Sequence, residues 1–259
     1  MPDNQPPMLE HVIRLARAAG EEVLAVYEQE CVSRTKHDGS PVTDADERAE
    51  EVICAGLAKL SPGVPVIAEE SCDHDAPPPA SESFWLVDPL DGTKEFLSRN
   101  GEFTVNIGLI SGAAPVLGVV LAPALGRLFA ADEAGAVVDD EEGRRRLSAR
   151  EAPAEGVTLV SSRSHGDPEA LTRFTEGRTI ANSIAAGSSL KFCLVATGEA
   201  DLYPRFGRTM EWDTAAGDAI LRAAGGHVTD LDGRPLQYGK PGFENPPFVA
   251  LGRDSPSRS

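Results

Sequence analysis

The chain has 259 residues, of which 41% are hydrophobic and 25% are charged. This balance is typical of a globular protein with a sizeable core, in one large domain or two closely packed ones. The 41 acidic side chains outnumber the 24 basic ones and give a net charge of −17, which argues against nucleic-acid polymers and anionic membranes as main partners. The negative charge does not exclude a small phosphorylated substrate, because metal ions and local cations can make the electrostatic potential inside one cleft positive.

Cysteine usage and the amino-terminal residues indicate the compartment. No apolar stretch is long enough to cross a bilayer, and residues 1–7 lack the basic and then apolar plan of a signal peptide. The four cysteines show no CxxC spacing, which favours reduced thiols over disulfides or a zinc site. We therefore expect a cytoplasmic protein. Peripheral membrane association stays open, as does the choice between a monomer and a homodimer.

The first half of the chain predicts two helices followed by strands. Apolar residues recur at helical spacing over about residues 8–29. A turn-rich stretch leads to a second helix, which Thr43 or Asp44 caps and Pro62-Gly63 ends. Strands are predicted to end at Glu69 and Asp88 and to cover 103–110, 115–121 and 127–131, with a proline-rich loop over 73–83 and an exposed hairpin or loop over 139–146.

From about residue 155 the pattern changes to short strands that alternate with helices. Helices are predicted over 167–176, 188–197 and 213–224, and strands over 157–160, 200–203, 227–229 and 248–251. The two halves predict an α+β lobe of residues 1–150 and an α/β lobe of residues 151–259.

The sequence DPLDGT, residues 88–93, carries the most chemical information. It follows an apolar run, residues 84–87, that predicts a buried strand, so Asp88 and Asp91 fall at the carboxyl end of that strand. Two such carboxylates repel each other unless a cation lies between them, and hard oxygen ligands suit Mg2+. Gly92 allows the backbone to approach a ligand. The alternative is an Asx-rich turn that caps a helix.

Further acidic residues occupy comparable places in the chain. The sequence WDTAAG puts Asp213 at the start of a helix of small residues, and an apolar run at residues 66–68 ends in Glu69 and Glu70. With these motifs the chain resembles the lithium-sensitive, magnesium-dependent phosphomonoesterases that include the inositol monophosphatases. The resemblance covers nearly the whole chain and implies a layered αβαβα sandwich of the inositol monophosphatase and fructose-1,6-bisphosphatase type.

The resemblance also implies a set of metal ligands for two or three Mg2+ ions. Glu69, Asp88 and the backbone carbonyl of Leu90 would bind the first ion, while Asp88, Asp91 and Asp213 would bind the second. For the ligands at strand ends the alternative is a carboxylate that caps a neighbouring helix. For Asp213 it is a helix N-cap.

Hydrolysis needs a proton acceptor for the attacking water. By resemblance this is an acid–hydroxyl pair, and the matching positions are Asp46 and Thr93. The alternative for Asp46 is an ordinary place in the first turn of a helix. We expect Glu70, beside Glu69, to support the ligands or to face solvent.

Four short motifs bear on the substrate: KEF directly after DGT, SRSH at 162–165, GSSLKF at 187–192 and YPRFG at 203–207. They resemble the 3′(2′),5′-bisphosphate nucleotidase branch of the family. That branch acts on 3′-phosphoadenosine 5′-phosphate (PAP), a by-product of sulfate assimilation. The resemblance leaves activity on PAPS, the sulfated precursor of PAP, open as well. A bisphosphate needs a second anion site away from the metals, and Arg binds phosphate with a bidentate fork. The implied substrate-binding residues are Glu69, Leu90, Asp91, Gly92, Thr93, His165, Ser188, Lys191, Arg205 and Asp213.

Within this set, the resemblance assigns the 5′-phosphate and ribose to Ser188, Lys191 and Arg205, and the adenosine to His165. The alternatives are a solvated Lys191, an Arg205 stacked on Phe206, and a loop-forming His165. An inositol monophosphatase or a fructose-1,6-bisphosphatase would share the metal centre. A catalytically silent sensor of phosphonucleotides would have no need of the intact acid–hydroxyl pair.

Overall fold

Helices and sheets alternate in five layers in the computed structural model, which describes residues 8–29, 34–35, 41–73, 81–163 and 167–253. Two helices cover one face of a seven-stranded sheet. Two more lie between that sheet and a five-stranded sheet, whose outer face is covered by a further helix. This order confirms the αβαβα sandwich.

The outer helical layer consists of α1 (Met8–Tyr27) and α2 (Asp44–Leu60). Both bury apolar side chains that recur every three or four residues. The predicted cap of α2 is confirmed, since the Thr43 hydroxyl accepts the backbone N–H of Ala45. A two-stranded ribbon, β1 (Arg34–Thr35) with β2 (Pro41–Val42), precedes α2.

The seven-stranded sheet has the order β3-β4-β5-β6-β7-β8-β9. Only β3 and β4 pair in parallel, and the other pairs are antiparallel. The β8–β9 hairpin confirms the exposed turn expected over 139–146, since every β9 residue is exposed. The strands are β3 (Val66–Ala68), β4 (Ser83–Asp91), β5 (Thr104–Ser111), β6 (Ala114–Ala122), β7 (Arg127–Asp132), β8 (Gly135–Asp140) and β9 (Gly143–Arg146).

Strand β4 does not end at Asp88 as predicted but continues to Asp91. Asp88 lies opposite Asn106 and Asp91 opposite Thr104, so three steps on β4 match two steps on β5. The extra residue is a β-bulge, which reorients the strand locally. Because the partners are two residues apart, the bulge turns Asp88 and Asp91 toward the same face of the sheet.

The five-stranded sheet has the order β11-β10-β12-β14-β13. Its edge strand β11 was not predicted, because its sequence IANSIAA is polar in the middle and mostly exposed. The strands are β10 (Val157–Ser162), β11 (Ile180–Ala186), β12 (Leu202–Arg205), β13 (His227–Asp230) and β14 (Phe248–Leu251), and the helices of this half are α4 (Pro168–Thr175), α5 (Leu190–Ala196) and α6 (Glu211–Ala223). The short α3 (Thr93–Leu97) follows β4.

Helix α6 packs unusually close to the seven-stranded sheet. A Cβ atom at Gly118 on β6 would collide with the Ala216 carbonyl oxygen, and one at Gly108 on β5 would lie 2.9 Å from Ala215 Cβ. The small residues of α6 therefore allow its first turn to approach the bulge of β4.

Strands of the seven-stranded sheet all precede residue 150, and those of the five-stranded sheet follow it. One hydrophobic cluster joins both sheets through residues such as Phe84 and Phe248. The division into lobes at residue 150 stays a prediction. Among the described residues, Cys54, Cys72 and Cys193 are free thiols, and no described helix is long and apolar enough to span a bilayer.

Candidate active site

A cavity of about 470 Å3 opens where the bulge of β4, the end of β12 and the first turns of α3, α5 and α6 meet. All but two of the predicted site residues line it. The exceptions are Asp46, which is buried, and His165, which lies outside the described residues. The predicted residues on the wall are Glu69, Asp88, Leu90, Asp91, Gly92, Thr93, Ser188, Lys191, Arg205 and Asp213.

Three carboxylates from separate elements converge in this cavity. Glu69, Asp88 and Asp213 each offer an oxygen, and these oxygens lie within 4.8 Å of one another. Glu69 follows β3, and its backbone N–H donates to the Val87 carbonyl. Asp213 is the third residue of α6 rather than its N-cap, and its carboxylate accepts the backbone N–H of Met210 at 2.8 Å.

Burial and mutual repulsion both act on the carboxylates of this cluster. Burial raises the pKa of Asp88 well above its usual value, and the neighbouring charges of Glu69 and Asp91 raise it further. Burial likewise raises the pKa of Asp213, again with help from Asp91 and Glu69. A cation between the carboxylates would relieve both effects. The donors are all hard oxygen atoms, so the residues fit a divalent ion of the Mg2+ type.

Asp91 belongs to the same cluster, but its carboxylate accepts hydrogen bonds from two neutral side chains. Its Oδ2 accepts the Ser189 hydroxyl at 2.9 Å and the Asn106 amide at 3.4 Å. The same hydroxyl lies 2.8 Å from the Asp213 carbonyl oxygen, so Ser189 links the bulge of β4 to α6. Burial raises the pKa of Asp91, while Lys191 and Ser189 oppose that rise. No role was predicted for Ser189 or Asn106, although Asn106 stands out as polar within an apolar strand.

The DGT segment lies between the cluster and the loop before α5. The Leu90 backbone N–H donates to Asp88 Oδ1 at 3.0 Å, as in an Asx turn. Gly92 has a left-handed φ of 91°, and a Cβ there would collide with the Ser188 hydroxyl. Only glycine therefore suits this position, which places Thr93 at the start of α3 on the cavity wall.

Asp46 lies at the first turn of α2 and is 2% exposed. Its Oδ2 accepts the backbone N–H of Thr43 at 2.8 Å and the Thr43 hydroxyl at 2.7 Å, so Asp46 does occupy the first-turn place that the alternative gave it. Its charge also contributes to the raised pKa of Asp88, so it acts on the cluster electrostatically. Helix α3, which begins at Thr93, packs beside β2, the strand that leads to α2. The pairing of Asp46 with Thr93 stays a prediction.

Two cations lie on the wall at the start of α5 and the end of β12. Lys191 is only 4% exposed, which contradicts the alternative of a solvated surface charge. Its ammonium group donates to the Ser188 carbonyl and stands 5.3 Å from the centre of the Tyr203 ring. Burial lowers the pKa of Lys191 to about 8, although Asp91 opposes this. Arg205 is half-buried and donates to the Arg208 carbonyl at 3.1 Å.

Several residues to which no individual role was assigned also help to build the site. Lys94 and Glu95 of the KEF motif line the cavity, and so does Arg208. The buried Glu50 of α2 accepts the backbone N–H of Glu70 at 2.8 Å and so fixes the segment that carries Glu69. Residue spacing could have revealed Lys94 and Glu95, which directly follow DGT, whereas the contact of Glu50 depends on the fold.

Comparison with known proteins agrees with this geometry. The model of the inositol monophosphatase family matches residues 4–251. The 3′(2′),5′-bisphosphate nucleotidase CysQ of Salmonella typhimurium is 48% identical over 250 residues, covering 93% of this chain and 98% of that protein. CysQ of Escherichia coli K12 is 47% identical over 252 residues, with the same coverage.

Solved structures give the same result. The crystal structure of CysQ from Bacteroides thetaiotaomicron, described as a bacterial member of the inositol monophosphatase family, superposes with a TM-score of 0.82 at 39% identity, covering 95% of this chain and 97% of that one. The IMPase of Thermotoga maritima superposes with a TM-score of 0.78 at 26% identity, covering 94% and 91%.

The first prediction concerns the repulsion in the acidic cluster. A carboxyl group whose pKa is raised by folding contributes stability that is present below its unfolded value and lost as the pH rises through the folded value. In metal-free protein, Asp88→Asn should therefore raise Tm at pH 8 by about a few degrees, and this gain should shrink as the pH falls toward about 4. Thermal melting in EDTA measures both, with Glu133→Gln in an exposed turn as the control. A lower Tm for Asp88→Asn at pH 8 would contradict the prediction.

Proposed function

Because the chain belongs to the inositol monophosphatase family, we propose that it removes the 3′-phosphate of PAP and releases AMP. The observation that carries this proposal is the presence, in one cavity, of a carboxylate cluster and of two cations, Lys191 and Arg205, that belong to separate elements. The names of the relatives, nucleotidases at 47–48% identity, support the same substrate. PAPS, which also carries a 3′-phosphate, is a second expected substrate, and a cytoplasmic location fits both.

The carboxylate cluster is the proposed Mg2+ site. Glu69, Asp88 and the Leu90 carbonyl would hold one ion, and Asp88, Asp91 and Asp213 another. When bound, the ions supply positive charge for the phosphoryl oxygens and lower the pKa of the attacking water. The burial of Asp88 and the closeness of Glu69 and Asp213 to it support the assignment, because adjacent carboxylates are unfavourable without a cation.

The chain's own residues handle the proton. Thr93 lies on the cavity wall two residues after Asp91. We assign to its hydroxyl the acceptance of a proton from the attacking water, while Asp46, the carboxylate that polarises the hydroxyl, takes the hydroxyl's own proton. Phosphoryl transfer requires little else of the protein than positioning and charge.

The second phosphate of PAP is assigned to Lys191 and Arg205. The pKa of about 8 leaves Lys191 mainly protonated at neutral pH, and a bound anion would favour the charged form further. Arg205 adds a guanidinium fork, the group best suited to a phosphate. Ser188, which we assign with them to the 5′-phosphate and ribose, lies on the same cavity wall, with its hydroxyl 2.8 Å from the Asp91 carbonyl oxygen. The contact of His165 with adenosine stays a prediction.

A substrate panel tests the proposed function directly. With Mg2+ present, kcat/KM for PAP should exceed the value for inositol 1-phosphate, which lacks a second phosphate, by about tenfold or more, because one well-placed charged contact is worth about 1.5–3 kcal/mol. Fructose 1,6-bisphosphate also carries two phosphates, so the two cations do not exclude it, and its lower expected kcat/KM follows from the similarity to the nucleotidases. Steady-state kinetics with all three substrates gives the ratio. A preference for either of the other two would contradict the assignment.

Removal of a metal ligand should abolish turnover without unfolding the chain. Asp91→Asn is expected to lower kcat by about a thousandfold, because ligand loss removes charge stabilisation of the transition state. Phosphate release and circular dichroism measure activity and folding, and Glu133→Gln serves as the control with unchanged activity. Full activity of the wild type in EDTA would show that no metal is needed.

Substitution of Arg205 should discriminate between substrates. Arg205→Ala should lower kcat/KM for PAP by about ten- to a hundredfold and leave 3′-AMP nearly unaffected, because 3′-AMP lacks the 5′-phosphate. The matched control is Arg173→Ala, which removes an exposed arginine from α4. Equal losses on both substrates would show that Arg205 supports the fold or the metals instead.

A further inference from the structure

One carboxylate outside the proposed catalytic set, Glu102, joins the two sheets beside the cavity. Arg163, just after β10, donates to both of its oxygens, from Nε at 2.8 Å and from Nη2 at 2.7 Å. The backbone N–H of Gly187, just after β11, donates to the same carboxylate at 2.8 Å. These bonds hold the pKa of Glu102 below its usual value, so the group is ionised at neutral pH.

The backbone of Glu102 holds the same loop, residues 187–189. The Ser188 hydroxyl lies 2.8 Å from the carbonyl oxygens of both Glu102 and Asp91. Ser188 has a φ of 50°, a left-handed conformation that a non-glycine residue keeps only when its surroundings hold it there. A Cβ at Gly187 would collide with the Glu102 carbonyl oxygen. The loop is therefore fixed between Glu102 and the bulge of β4.

This loop determines where the second cation lies relative to the carboxylate cluster. Its last residue, Ser189, bonds to Asp91, and the next turn of chain carries Lys191. The Arg163 guanidinium also donates to the Ala185 carbonyl at 2.7 Å, so its bonds are directed into the protein. Arg163 thus acts on the cavity through the loop and is no candidate for substrate contact.

We propose that Glu102 and Arg163 are positioning residues that fix the distance between the carboxylate cluster and Lys191, and that they thereby select substrates with a second phosphate. The proposal rests on the proposed function, since it takes Lys191 and Arg205 as the site of the non-scissile phosphate. A substrate that needs only the carboxylate cluster should be insensitive to this pair.

The chain contains a matched control for this ion pair. Asp201 accepts two bonds from Arg150, at 2.7 and 2.9 Å, and the backbone N–H of Thr158 at 2.7 Å. Asp201 therefore accepts the same kinds of hydrogen bond as Glu102, two from a guanidinium group and one from a backbone N–H. The side chains of Arg150 and Arg163 are 41% and 44% exposed, while those of their partners Asp201 and Glu102 are 2% and 22% exposed. Neither member of the Arg150 pair lines the cavity.

The experiment compares Arg163→Lys with Arg150→Lys on PAP and on 3′-AMP. Lysine keeps the charge but cannot form the bidentate fork. For Arg163→Lys we expect the ratio of kcat/KM values, PAP over 3′-AMP, to fall about fivefold or more, mainly through a higher KM for PAP. The inhibition constant of AMP, which carries only the 5′-phosphate, should rise in parallel. For Arg150→Lys the ratio should stay within about twofold of the wild type. Glu102→Gln, which keeps the shape of the side chain, should repeat the result of Arg163→Lys.

The outcomes separate this proposal from the proposed function. If the wild type does not prefer PAP over 3′-AMP, the second phosphate site itself is wrong and both proposals fall. If the wild type prefers PAP while Arg163→Lys and Glu102→Gln leave the ratio unchanged, only the positioning role is overturned. Equal losses on both substrates, or the same fall in Arg150→Lys, would show a purely structural role and would also overturn it.

Discussion

The single extra residue in β4 is the constraint on which the site depends. In an unbroken strand, residues three apart face opposite sides of the sheet. The bulge allows Asp88 and Asp91 to face one side, opposite Asn106 and Thr104. Pro89, within the bulge, has no N–H to leave unpaired. The other carboxylates of the cluster then need only to approach this point, Glu69 from just after the neighbouring parallel strand β3 and Asp213 from α6.

The close packing of α6 against the seven-stranded sheet brings Asp213 to the other carboxylates. Gly108 and Gly118 lie under Ala215 and Ala216, so the helix lies close against the sheet and its first turn reaches the bulge. Burial of apolar surface by this packing stabilises the fold. Desolvation of the carboxylates and their mutual repulsion, which together raise their pKa values, oppose it. The fold therefore holds together charges that a chain free to relax would separate, and this arrangement is favourable for cation binding.

Local chemistry explains which features the sequence predicted. A helix cap at Thr43, a turn at Pro62-Gly63 and acidic residues after apolar runs each express short-range physics, and the layered fold followed from the family resemblance. The bulge of β4, the polar edge strand β11 and the burial of Lys191 depend on neighbours distant in the chain. Glu102 and Arg163 are 61 residues apart, and no periodicity in the sequence connects them.

The buried Lys191 also gives the cavity an unusual chemical reactivity. Amine reagents such as activated esters attack only the uncharged form of lysine. Because burial lowers the pKa of Lys191 to about 8, a much larger share of its side chains is uncharged at pH 8 than of an ordinary lysine, for which the share is less than about one in a hundred. An anion bound beside Lys191, as proposed above, would favour the charged form and so slow the reaction. The extent of acylation at this one nitrogen, read by mass spectrometry, thus reports whether the cavity is filled, without any turnover taking place.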